Sequence, residues 1–161
     1  MSGEPQATGG PVRPVTALVF ATAGYVALFI FGLGMTSLAT AEDVIATPGL
    51  GQVPGIVGSV LSTAAFAGAL WVAVRRRPAS YAGAVWTALA CFAGYVGGVW
   101  IGALATGAEL AVASPVAGRI ATSWFGLVVA AAGFVAGWAG IALVRTRAQR
   151  PRWPWEDEFD E

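Results

Sequence analysis

The residues of this chain that could do chemistry are few and mostly hydroxylic. There is no His and no Lys, and the single Cys is Cys91. Without His no imidazole can move protons near neutral pH. Without a second Cys no disulfide can close within the chain. A zinc or haem site built on His or paired Cys is excluded for one chain. Four polar side chains fall in apolar surroundings: Tyr25, Tyr95, Ser62 and Thr63, with Thr22 one helical turn from Tyr25. If the segments that hold them pack together, the hydroxyls could form a weakly polar cluster. Such a cluster either satisfies itself against backbone carbonyls or offers a ligand or conduction site. Cys91 sits in an apolar run, where a thiol is an inert packing group. Glu42, Asp43, Glu109 and Arg119 lie between apolar runs, too few and too scattered to combine acid, base and nucleophile. Glu42 and Asp43 could hold a cation loosely or stay solvated. The expectation is a non-catalytic protein with no cofactor and no metal.

The elements that must position these residues are read from hydropathy. Of 161 residues, 57% are hydrophobic and 11% charged, and the mean hydropathy is +0.69. Soluble domains carry about 25% charged residues. Four long apolar runs stand out: Val15 to Leu38, Val53 to Val74, Ala79 to Leu104 and Ile120 to Val144, of 24, 22, 26 and 25 residues. About 20 helical residues cross the hydrocarbon core of a bilayer. None of the runs carries a charge or alternates as barrel strands must. Helix is therefore expected, because backbone polar groups in lipid must be satisfied within the segment. The fold class expected is an all-α bundle of four transmembrane helices, with a domain over 15–144. The absence of intramembrane ionisable groups argues against proton relays and ion-coupled transport. The third run is expected to continue past Leu104 toward Ala113, with Pro115 marking a restart.

Charge distribution sets the expected orientation. All nine cations are Arg and nine acids balance them. Arg13, the Arg75-Arg76-Arg77 turn and Arg145, Arg147, Arg150 and Arg152 fall on one side of the runs; Arg119 alone falls on the other. Eight against one is a positive-inside signal that places both termini in the cytoplasm of a multi-pass cell-membrane protein. Residues 1–14, rich in Gly and Pro, read as a flexible arm. Arg13, the apolar run and Ala39-Thr40-Ala41 imitate a signal peptide whose removal would cleave residues 1–41. Signal-peptide cores are about 7–15 residues long, so a run of 24 fits a retained helix better.

Three further patterns concern association. Gly94, Gly98 and Gly102 line one face of the third run, and Gly133 and Gly137 one face of the fourth. Small residues four apart let helices approach closely in lipid, either within one chain or across a homo-oligomer. Ala23-Gly24-Tyr25-Val26 recurs as Ala93-Gly94-Tyr95-Val96 at an offset of 70 residues, a hint of two repeated helical hairpins or a coincidence of common residues. The tail, 145–161, is basic, then aromatic, then acidic. Trp153 and Trp155 are large anchors of the kind that dominate interfaces, and Glu156, Asp157, Glu158, Phe159, Asp160 and Glu161 follow. It could lie on the anionic inner surface or dock a cytosolic or membrane protein partner. No feature suggests nucleic acid; the bilayer is the certain partner of such a chain.

Four apolar helices, Arg without Lys, Ala- and Gly-rich spans and a Trp-Pro-Trp-acidic tail resemble the uncharacterised small four-span membrane proteins of GC-rich actinobacteria. That resemblance implies the fold and carries no activity. The leading expectation is an assembly or accessory subunit that uses its glycine faces and its tail. The alternative is a small oligomeric channel or facilitator formed around the hydroxyl-bearing faces.

Overall fold

The structure, a computed structural model, describes residues 13–45, 47–76 and 79–145. Five helices account for nearly all of them: α1 (Pro14–Thr40), α2 (Val53–Arg75), α3 (Ala82–Ala105), α4 (Leu110–Thr122) and α5 (Trp124–Arg145). There is no strand among the described residues. Four of the five, α1, α2, α3 and α5, are long and apolar enough to cross a membrane.

Helix boundaries follow local chemistry. Pro14 opens α1 and Pro54 lies at the start of α2, where a missing backbone N–H costs nothing. α1 stops at Ala41, whose φ of 52° is left-handed. α3 stops just before Gly107, whose φ of 87° suits glycine. This stop corrects the expected continuation toward Ala113. Pro115 is also not a restart, because it sits inside α4. The expected fourth run likewise begins late. Ile120 belongs to α4, Ser123 is extended (φ −97°, ψ 170°), and the long helix starts at Trp124.

The buried stripe of α1 is Ala17, Ala21, Tyr25, Phe29 and Leu33, and most of that of α2 is Pro54, Gly58, Ser62, Phe66 and Leu70; α3 and α5, each packed on two neighbours, bury broader faces. The strict spacing of four places each set on a single ridge. The remaining faces are apolar and exposed, including Phe20, Ile30, Phe31, Trp86 and Trp124. A helix apolar all round, with most of its residues not buried in the bundle, is built for a solvent of hydrocarbon.

Glycine contacts define the topology. Gly94 faces Leu61, Ser62 and Ala65, Gly98 faces Gly58, and Gly102 faces Pro54, so α2 and α3 are antiparallel. Gly133 faces Cys91 and Ala88, and Gly137 faces Thr87, so α5 runs antiparallel to α3. Gly32 faces Val128 and Gly140 faces Ala21, so α5 is also antiparallel to α1. α2 with α3 forms the most extensive pair, followed by α5 with both α1 and α3; α1 touches α2 less. Arg13, Arg75, Arg76 and Arg145 therefore share one end of the bundle. Glu42, Asp43, Glu109 and Arg119 share the other, which α4 covers.

Candidate functional site: a hydroxyl-aromatic core, a clasped cap and lateral grooves

Tyr25, Ser62 and Cys91 each lie near the middle of their helix. The Ser62 hydroxyl donates to the Cys91 carbonyl at 2.8 Å, and the Tyr25 and Ser62 oxygens are 2.6 Å apart. Serine has a single proton, already committed to Cys91, so Tyr25 donates and Ser62 accepts. The chain of bonds ties α1 to α2 and α2 to α3 without any charge. Interhelical hydrogen bonds in a membrane contribute about 0.6 kcal/mol on average and about 1.7 at most. Their larger effect is to satisfy buried hydroxyls that would be costly alone.

Aromatic rings fill the space around this relay. The Tyr25 ring stacks on Phe66 with centroids 4.5 Å apart and planes 5° apart. Phe29 lies 5.8 Å from Tyr25 and meets Tyr95 edge-on at 5.4 Å. Tyr25 and Phe66 are fully buried, and Tyr95 is nearly so. Tyr95 thus joins through its ring. Thr63 does not join at all. It donates to the Ser59 carbonyl of its own helix at 2.8 Å and lines a shallow surface hollow with Ser59 and Val60. Of the four hydroxyls picked out by sequence, the structure brings two into a bond, places a third beside them and leaves Thr63 on the outside. Phe29, Phe66 and the Cys91 carbonyl were missed, because only the pairing of helices brings them together.

The predicted glycine strips are consumed inside the chain. A Cβ on Gly98 would lie 2.6 Å from the Gly58 Cα, and one on Gly102 the same distance from the Pro54 Cα. On Gly94 it would meet the Ala65 Cβ and the Leu61 carbonyl at 3.0 Å. A Cβ on Gly133 would lie 2.8 Å from the Cys91 sulfur, and one on Gly137 3.2 Å from the Thr87 Cβ. These faces are occupied by α2 and α3, so a second copy of the chain would have to meet other surfaces. Cys91 is fully buried and free.

At the α4 end, Arg119 donates to Glu42 at 2.8 Å and fastens α4 to the segment after α1. Both side chains are about half exposed, so the bond guides position more than it adds stability. Trp100 Nε1 donates to the Ser114 hydroxyl at 3.4 Å, and Leu50, Ala103 and Ala113 form a small second core beneath. Ala113, Ala117 and Ile120 are the buried face of α4, which lies over the end of the bundle. No other acid–base pair within bonding distance occurs among the described residues.

The described residues also form two lateral grooves. The larger, about 730 Å³, runs between α3 and α5 beside the end of α4; Leu89, Phe92, Trp124 and Phe134 make it almost wholly apolar. The smaller, about 300 Å³, lies at the arginine end between α2 and α3 and carries Arg76, Ser80 and Trp86. Two nearby cations are already engaged by rings. Arg145 lies 4.5 Å over Tyr81, itself stacked on Trp138, and Arg75 lies 5.2 Å over Trp71. The docking residues expected in the tail, Trp153, Trp155, Glu156, Asp157, Glu158 and Phe159, lie outside the described residues.

Comparison with known proteins matches residues 14–161 to the sequence model of DUF6121, a family of unknown function. No curated protein and no solved structure matches the chain.

Proposed function

The chain belongs to DUF6121, a family of unknown function, and from that premise we propose that it is a non-catalytic, four-span membrane protein that serves as an assembly or accessory subunit. The observation that supports this most is the filled interior. Aromatic and small side chains pack the centre, the buried side-chain polar atoms among the described residues are hydrogen-bonded, and no charged residue is buried there. Such a bundle is a rigid body whose outer faces and ends are its working surfaces. Reading the arginine end as cytoplasmic follows the positive-inside rule, and puts the basic-aromatic-acidic tail on the cytosolic side, where it would engage a protein partner.

The test is affinity purification from crosslinked native membranes, using the full chain and a version ending at Gln149. A partner held by the full chain and lost by the shortened one supports the accessory role. If both recover only the bait, that role fails. The channel alternative draws support from Ser59 and Thr63, hydroxyls on an outward stripe of α2 that an oligomer could turn toward a shared lumen. Ion or solute flux through liposomes carrying the protein would favour it, and the accessory reading predicts none.

A further inference from the structure

We propose that the small groove at the arginine end is a binding site for one anionic phospholipid, with the phosphate on Arg76 and Ser80 and an acyl chain along α2 and α3. The groove has two chemically distinct parts. Its mouth carries the Arg76 guanidinium, which has no partner among the described residues, in contrast to Arg75 and Arg145 on their rings. Beside it the Ser80 oxygen accepts from the Ala82 N–H at 3.3 Å. Its own proton has no acceptor among the described residues and is free to donate. A guanidinium with an adjacent hydroxyl is a suitable pair for a phosphate diester.

The rest of the groove is apolar: Ala69, Val72 and Gly83 form walls that continue along the two helices toward mid-bundle. Trp86, 69% exposed, stands one turn inside α3, at the level where indoles mark the boundary between headgroups and hydrocarbon. A soluble anion would use the mouth and leave these walls wet; a lipid uses both. Charge selects its class. Arg13, Arg75, Arg76 and Arg145 share this end, and the described acids, Glu42, Asp43 and Glu109, are all at the other. Basic pockets between membrane helices favour anionic headgroups over zwitterionic ones.

The proposal rests on the membrane-spanning reading but not on which side the arginine end faces. It is tested by native mass spectrometry of the full-length chain in micelles, titrated with phosphatidylglycerol or phosphatidylcholine. Wild type should bind phosphatidylglycerol in preference, with one tight site. R76Q should weaken that site about fivefold, the effect of one basic residue at a membrane surface. R75Q, which removes the same charge from the same end but not from the groove, should weaken it less than twofold. W86A should also weaken it, and inorganic phosphate should not displace the lipid. Equal losses in R75Q and R76Q would mean diffuse attraction and overturn the site. Equal binding of phosphatidylcholine, or displacement by phosphate, would overturn the choice of ligand. Failure of the wild-type chain to float with liposomes would instead overturn the membrane reading itself.

Discussion

Replacing Gly98 by Ala probes the tightest seam of the bundle. The added Cβ would lie 2.6 Å from the Gly58 Cα, 3.0 Å from the Val57 carbonyl oxygen and 3.1 Å from the Gly58 nitrogen. All three are backbone atoms, so no side chain can rotate away. Carbon atoms rest about 3.5–4.0 Å apart, so α2 and α3 must separate by roughly 1 Å. A gap of that size forfeits about a quarter to a half of each dispersion contact along the seam. The expected loss is about 1–3 kcal/mol, the usual cost of overpacking. Gly97 is the internal control. A Cβ there meets nothing within 4 Å, and Ala is a better helix former by up to about 1 kcal/mol. Both substitutions share that gain, so the two should differ by the overpacking cost alone, about 1–3 kcal/mol, roughly fivefold or more in the folded-to-unfolded ratio. Reversible unfolding of each variant in mixed micelles, followed by circular dichroism against the mole fraction of dodecyl sulfate, measures the difference. Equal stabilities for Gly98→Ala and Gly97→Ala would refute the placement of the glycine strip against α2.

Other perturbations test the remaining features. Ser62→Ala leaves the Tyr25 hydroxyl without an acceptor and should cost about 1–3 kcal/mol. Tyr25→Phe should cost less, near 1 kcal/mol, and should recover part of the loss when combined with Ser62→Ala; the same unfolding assay gives the order. Ala41→Gly relieves a left-handed backbone and should stabilise by up to about 1 kcal/mol, visible as a raised midpoint. Arg119→Gln should change global stability by less than 1 kcal/mol yet speed hydrogen exchange in α4; unchanged exchange would mean the Glu42 bond does not hold the cap. Cys91 should resist maleimide in the folded protein and react once the bundle is unfolded.

What was legible in the sequence was whatever depends on one segment at a time. Apolar length alone locates α1, α2, α3 and α5, because a lipid-facing helix must be apolar on every side. The partition of Arg from the loop acids is equally local. The errors lie where two segments must meet. Nothing in the run from Ile120 onward marks Ser123 as a break, because its extended backbone is bound up with how α4 folds onto Ala103 and Leu50. Pro115 resembles a helix boundary, yet it falls in the second turn of α4, where it forgoes one backbone hydrogen bond without ending the helix. Spacing shows that Gly94, Gly98 and Gly102 share a face but not which helix covers it. Tyr25 and Tyr95 look equivalent in their Ala-Gly-Tyr-Val repeats. Only one finds a serine, because α1 and α3 present them to different neighbours.

The seam between α1 and α5 has a consequence for how the chain is made. α1 is synthesised before the other four described helices, but its broader partner is α5, the fifth of them, whereas α2 and α3 find each other across a short connection. Until α5 emerges, Ala21 and Gly32 lack the Gly140 and Val128 they pack against. Until then a nascent chain holds an α2–α3 hairpin with α1 joined only through its narrower contact with α2, and the bundle closes when α5 is made. A quality-control factor that recognises unpaired membrane helices would find its target in that interval, and chains interrupted before Trp124 would never leave it.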